Sequence, residues 1–228
     1  MKIIETEQPK EDAGQSLTDA LREHSKKPIL LMVSGGSAFS LLDFVEPSVL
    51  GPHITLTVLD ERFSSDPAIN NFTQLEQTKF FASCINKRVQ TISTKVLEYE
   101  SLHGLHNRFD TALHTWKEQN EDGVIIATMG IGPDGHTAGI FPGEHGVDFN
   151  DNTWVVGYTV PKEVNQYPER VTVTNTFLRN KVDQAIVYAV GSDKYRLIQK
   201  LQATETSIQE IPATIFKEMP FLIIFTHS

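Results

Sequence analysis

The residues Ile29-Leu-Leu-Met-Val33 form an unbroken apolar run, with Pro28 before it and Ser34-Gly-Gly-Ser37 after it. A run this short, bounded by turn formers, describes a strand covered on both faces, as happens where crossover helices pack on either side of a parallel sheet. The pattern recurs at Ile54 to Leu59, Val124 to Met129, Trp154 to Val156, Val171 to Thr174, Ala185 to Val190 and Phe221 to Thr226. Between these runs lie stretches of helical period. The clearest covers 101–119, where Leu102, Leu105, Phe109, Ala112, Leu113 and Trp116 share one stripe. An earlier helix is expected from Leu17, Ala20 and Leu21 after Ser16, stopping near Lys26, Lys27 and Pro28, and a short one carries Phe39, Leu41, Leu42 and Val45 up to Pro47.

Strands alternating with helices predict an α/β fold: a Rossmann-like open sheet, mainly parallel, with helices on both faces. The strand candidates run from residue 29 to 226 without a repeat, a low-complexity linker or a composition break. One domain over residues 1–228 is therefore expected, a length that α/β folds often use as a single unit.

Lys and Arg number 20 against 29 Asp and Glu, a formal net charge of −9. That balance argues against nucleic acid as a partner, because phosphate backbones are gripped by clustered cations. Cys84 stands alone, which excludes an intramolecular disulfide and any Cys-rich metal spacing and suits a reducing compartment. The opening MKIIETEQPKED lacks an apolar targeting segment, and no apolar run approaches the ~20 residues of a membrane span. A cytoplasmic location and no membrane partner are expected.

Polar or glycine-rich clusters follow several of the strands, at 34–37, 60–62, 130–136 and 191–194. In open α/β sheets the ligand crevice lies at those strand ends. Ser34-Gly35-Gly36-Ser37, between a buried strand and a helix, offers backbone N–H groups for an anion such as a sugar phosphate, though an ordinary tight turn has the same composition. It lacks the G-x-x-x-x-G-K-[ST] pattern of a nucleotide P-loop.

Gly130-x-Gly-x-x-Gly135 matches the dinucleotide fingerprint in form. It carries Pro133 and the acidic Asp134 where a pyrophosphate would approach, lies far from a first βαβ unit, and is followed by a strand offering Gly157 where an acidic ribose ligand would be sought. Asp134-Gly135-His136 is more informative, since a histidine held by a nearby aspartate suits general base work near neutral pH. His103 and His106 share a helix face but have no acidic or Cys partner at metal spacing, so no metal or other cofactor is expected. Asp60-Glu61-Arg62 either closes on itself as a salt-bridged loop or brings a carboxylate and a guanidinium to the site mouth. Arg170 and Lys194 are single cations that, taken alone, serve solubility equally well.

In order, Val33-Ser-Gly-Gly-Ser37, Leu59-Asp-Glu-Arg62 with Asn70-Asn71, Gly130-Ile-Gly-Pro-Asp-Gly-His-Thr-Ala138 with Phe141-Pro-Gly143, Pro168-Glu-Arg-Val-Thr172 and Gly191-Ser-Asp-Lys194 resemble the 6-phosphogluconolactonase branch of the superfamily that also holds glucosamine-6-phosphate deaminases and ribose-5-phosphate isomerases. The resemblance spans from about residue 30 to the end. It implies hydrolysis of 6-phospho-D-glucono-1,5-lactone to 6-phosphogluconate in the oxidative pentose phosphate pathway, by a monomer or small homo-oligomer. The alternatives are deaminase or isomerase chemistry and a non-catalytic sugar-phosphate binder. Deaminases that resemble this segment carry a Glu directly before the Pro-Gly, where this chain has Phe141, and a phenyl ring cannot move a proton.

The resemblance further implies a catalytic set of His136, Asp134 and Arg62. His136 would act as base and then acid, with Asp134 orienting it. Gly35, Gly36, Ser37, Asp60, Arg170 and Lys194 would bind substrate and its phosphate. The chain departs from the branch at Ala38-Phe39, where Thr-Pro is usual, and at Ser64-Ser65, where Val-Pro is usual. Neither departure removes a charged side chain.

Overall fold

The computed structural model describes residues 1–143, 153–203 and 205–227. Its strands are β1 (Lys2–Glu5), β2 (Ile29–Val33), β3 (Ile54–Val58), β4 (Asp60–Arg62), β5 (Gln90–Thr91), β6 (Val124–Gly130), β7 (Val155–Thr159), β8 (Glu169–Val173), β9 (Gln184–Val190) and β10 (Leu222–His227). The helices are α1 (Pro9–Glu23), α2 (Asn71–Glu76), α3 (Lys79–Asn86), α4 (Leu102–Gln119), α5 (Asn175–Asn180) and α6 (Ser192–Ala203). Seven strands form one sheet in the order β1-β10-β9-β6-β2-β3-β5, and every pair in it is parallel. The chain thus has the expected α/β fold.

The apolar run of β2 divides cleanly between two cores, because successive side chains of a strand point to opposite faces. Leu30 and Met32 join the core that holds Leu105, Phe109, Leu113 and Trp116 of α4. Ile29, Leu31 and Val33 join the core that holds Ala13, Leu17, Ala20 and Leu21 of α1. Helices therefore cover both faces, and a strand buried on both sides has no use for an alternating pattern.

Strand order sets the location of the crevice. From β2 the chain steps outward to β3 and β5, and from β6 it steps the other way to β9 and β10. The neighbours β2 and β6 are the switch point, and a cleft opens beyond their C-terminal ends, where the connecting segments diverge. The segments starting at Ser34 and Gly130 leave the sheet there.

Several expectations need correction. Asp60-Glu61-Arg62 is neither a loop nor the tail of β3. It is a strand of a second sheet, β4-β8-β7, paired antiparallel with β8 so that Asp60 faces Thr172 and Arg62 faces Arg170. This small sheet adds Val155, Val171 and Val173 to the α4 core. It is tied to α4 by the Asp110 carboxylate, which accepts from the Trp154 and Val155 N–H groups at 3.0 and 2.9 Å. The first helix starts at Pro9 and not after Ser16, with proline at the helical position where its missing N–H costs nothing. The short helix expected before Pro47 is present, as a 3-10 helix over Gly36–Phe44. Cys84 is buried in the α1 core, which pushes its thiol up to about 12.

Candidate active site

The cleft at the switch point measures about 250 Å³ and is lined from six directions: Ser34 to Ser37 after β2, Asp60 and Arg62 on β4, Asn71 at the start of α2, residues of the Gly130–Gly139 segment after β6, Arg170 on β8, and Lys194 in the first turn of α6. The fold therefore brings Gly35, Gly36, Ser37, Asp60, Arg62, His136, Arg170 and Lys194 to one cavity. Asp134 reaches it through His136.

The Gly130–Gly139 segment is folded on itself. The Gly132 N–H donates to the His136 carbonyl at 2.8 Å, the Gly135 N–H donates to the Gly132 carbonyl at 3.0 Å, and the Thr137 hydroxyl donates to the Gly130 carbonyl at 2.8 Å. Gly135 and Gly139 have φ of +88° and +68°, a region that disfavours side chains. Gly132 serves differently, for a Cβ there would lie 2.1 Å from the His136 ring. Glycine at 132 lets the imidazole lie flat against the backbone.

So placed, His136 sets Nδ1 2.5 Å from an Asp134 carboxylate oxygen, which also accepts the His136 backbone N–H at 3.1 Å. Partial burial works to raise the Asp134 carboxyl, but the hydrogen bond and charge of His136 outweigh it and hold the group below the usual range. With Nδ1 committed to Asp134, Nε2 is the nitrogen available for proton transfer. The other face of the ring rests on Phe141, with centroids 4.7 Å apart.

Asp60 and Arg170 form a buried ion pair, Nη2 to Oδ2 at 3.1 Å. Arg170 is only 4% exposed, its guanidinium lies 5.3 Å from the Phe141 ring centroid, and its Nε has no acceptor among the described residues. It is thus no free surface cation: one amino group is spent on Asp60. Gly139 makes room for this pair, since a Cβ there would come within 2.7 Å of the Asp60 carboxylate. Arg62 is held 5.6 Å from the Tyr167 ring centroid, and its Nε is buried without an acceptor among the described residues. Lys194 places Nζ 3.5 Å from the Ser37 hydroxyl, and its half-burial lowers its pKa.

Asn71 lines the cleft beside Ser34; the sequence reading left Asn71 out of the site and took Ser34 only for its backbone N–H. Each has a buried side-chain oxygen with no hydrogen-bond partner among the described residues. Asn71 stands in the motif Asn70-Asn71 as the first residue of α2; Asn70 before it is the cap, accepting from the Thr73 N–H. Glu61, between the two β4 site residues, is fully buried. Burial pushes its carboxyl up to about 7 despite hydrogen bonds from the Phe72, Asn71 and Arg62 N–H groups and the Thr94 hydroxyl. Among the described residues, no group of three or more His, Cys, Asp or Glu is arranged to hold a metal ion. No described helix is long and apolar enough to cross a membrane.

Residues 6–221 match the family model described as glucosamine-6-phosphate isomerases/6-phosphogluconolactonase. The chain belongs to this family. A 6-phosphogluconolactonase of Borreliella burgdorferi is 25% identical over 178 residues, covering 75% of this chain and 70% of that one. The crystal structure of a 6-phosphogluconolactonase from Shewanella baltica superposes with a TM-score of 0.77 at 19% identity, covering 100% of this chain and 97% of its own. A monomeric glucosamine-6-phosphate deaminase superposes with a TM-score of 0.70 at 16% identity, covering 100% and 97%. Structures bearing either name thus share this backbone.

Proposed function

We propose that the chain hydrolyses 6-phospho-D-glucono-1,5-lactone to 6-phosphogluconate, the oxidative pentose phosphate step, acting as one domain over residues 1–228 in the cytoplasm, as a monomer or small homo-oligomer. The observation that carries this reading is the Asp134–His136 pair facing cations across one cleft, with the apolar Phe141 packed against the imidazole. Ring opening of an amino sugar in the deaminase branch needs a carboxylate at the position that Phe141 fills.

Lactone hydrolysis needs an activated water, a stabilised tetrahedral oxyanion and a proton for the ring oxygen as it leaves. Nε2 of His136 takes a proton from water as the water oxygen bonds to C1. The imidazolium formed is stabilised by Asp134. The C1 oxyanion collapses, the bond from C1 to the ring oxygen breaks, and Nε2 returns its proton to that oxygen, giving the open-chain acid. Arg62, which lines the cleft and donates through one guanidinium nitrogen to the Ile69 carbonyl at 3.4 Å, is assigned to the developing oxyanion. Gly35, Gly36, Ser37 and Lys194 are assigned to the phosphate. A phosphate beside Lys194 would oppose the effect of burial and favour its ammonium form. Arg170 supplies charge from behind, with Asp60 fixing its position.

The test supplies freshly prepared lactone to the purified protein and follows acid release on a pH-stat above the spontaneous hydrolysis. Catalysed release that depends on His136 supports the proposal. A rate equal to the spontaneous background overturns it.

A further inference from the structure

Asp60 and Arg62 face the cleft from β4, and the pleat of the strand turns Glu61 away from it into the core. There the Glu61 carboxylate accepts four hydrogen bonds, from the N–H groups of Arg62 at 2.8 Å, Asn71 at 2.5 Å and Phe72 at 3.0 Å and from the Thr94 hydroxyl at 2.8 Å. All four donors are neutral. Glu61 thereby ties β4 to the start of α2.

The second link is Asn71. Its side-chain amide donates to the Asp60 carbonyl at 2.9 Å, and its Oδ1 would lie 2.3 Å from a Cβ on Gly35. Gly35 has φ of −72°, which any residue adopts, so the requirement for glycine at 35 comes from Asn71 and not from the backbone.

We propose that Glu61 and Asn71 act as one positioning clamp that sets the gap between the Gly35–Ser37 loop and the Asp60 and Arg62 strand, and with it the fit of the substrate's phosphate end. This rests on the lactonase reading. It makes neither residue a catalytic one, for Glu61 lies behind the cleft wall and Asn71 acts through Gly35 and Asp60. A clamp in series has a recognisable signature: breaking either link loses what breaking both loses, because the effects of residues acting as a unit do not add.

The experiment measures kcat and KM for lactone in the wild type, Asn71→Ala, Glu61→Gln, the double variant, Gly35→Ala and Gly35→Ala/Asn71→Ala, with folding of each checked by near-ultraviolet circular dichroism. Asn71→Ala and Glu61→Gln are expected to raise KM about tenfold with kcat little changed, since the loss falls on binding common to ground and transition states. Their double variant should do no worse than the weaker single. Gly35→Ala should lose more, and removing the Asn71 side chain should restore much of that loss. Additive losses, an unchanged KM in Asn71→Ala, or a Gly35→Ala defect that Asn71→Ala leaves in place would overturn the clamp. If Glu61→Gln does not fold, the Gly35 and Asn71 pair decides alone. If the wild type fails to turn over lactone, the functional reading falls. The clamp is then tested by titrating inorganic phosphate against the amide NMR signals of Gly35 and Gly36, with weaker binding expected in Asn71→Ala and unchanged binding overturning it.

Discussion

The segments Ser34–Ser37 and Gly130–Gly139 leave neighbouring strands at the same switch point, yet they are held in different ways. The later segment is bonded to itself, bends through positive φ at Gly135, Ala138 and Gly139, and seats two functional side chains, His136 on Gly132 and Asp60 on Gly139. The earlier one has a single positive φ, at Gly36, and is braced from outside by Asn71 pressing on Gly35. A glycine-rich run at a strand end is therefore not one kind of object. Gly36 is needed for its dihedral, while Gly35 and Gly132 are needed for the space that a neighbouring side chain occupies.

On the proposed function the later segment carries the chemistry and the earlier one carries binding, and substitutions in the two should fail differently. The largest loss is expected for His136→Ala, which removes the general base and acid: kcat should fall by ~10²–10⁴ with the fold retained. Steady-state kinetics on the purified variant check this.

Glu61, which braces the earlier segment through Asn71, gives the next effect, on stability. A carboxyl raised from the ordinary 4.5 to about 7 binds its proton more tightly in the folded chain than in the unfolded one. Its contribution is thus fully present below about pH 4.5 and is lost as pH rises through 7, a change of ~3 kcal/mol at about 1.4 kcal/mol per pH unit. Urea unfolding of the wild type and Glu61→Gln between pH 5 and 8 should show that fall in the wild type only.

Gly132→Ala should drive the imidazole off Asp134 and cost kcat ~10²-fold, because displacement of a reacting group by about 1 Å is enough for that. A normal kcat would show that the histidine is not seated as described. Lys194→Ala should instead raise KM about tenfold at nearly constant kcat, the mark of lost uniform binding. Unchanged KM with collapsed kcat would move Lys194 to the reacting carbonyl. The smallest effect belongs to Gly36→Ala, where a Cβ meets no neighbour and only the +66° φ is penalised, ~1 kcal/mol by thermal unfolding.

Most of the sheet could be read along the chain because parallel strands buried on both faces advertise themselves as apolar runs. Ile29 to Val33 and Val124 to Met129 are of that kind, and α4 shows a plain stripe. β1 escaped because Lys2-Ile-Ile-Glu5 is a four-residue edge strand, half-exposed and without turn signals. Of the small sheet, β7 and β8 could be read from the apolar runs at Trp154 to Val156 and Val171 to Thr174, but β4 escaped because its pairing is non-local: Asp60 meets β8 from 110 residues away, and nothing in Asp-Glu-Arg says strand until a partner supplies the hydrogen bonds.

The same difference governs the site. His136 and Asp134 sit two positions apart and could be linked by spacing alone. The burial of Arg170 against Asp60, and of Asn71 against Gly35, depends on segments that meet only in the folded chain. Composition misleads about ligands for a related reason. A net charge of −9 disfavours a phosphate polymer, while Lys194, Arg62 and Arg170 still gather at one cleft.

The direct measurement sets two sugar phosphates against one another. The wild type is given freshly prepared 6-phosphogluconolactone and, separately, glucosamine 6-phosphate, and acid and ammonia release are followed under the same conditions. Lactone opening well above its spontaneous rate with no ammonia released is the predicted result. Ammonia release with lactone left at its spontaneous rate would contradict the account, and would mean that a group other than Phe141 serves the proton transfer of ring opening.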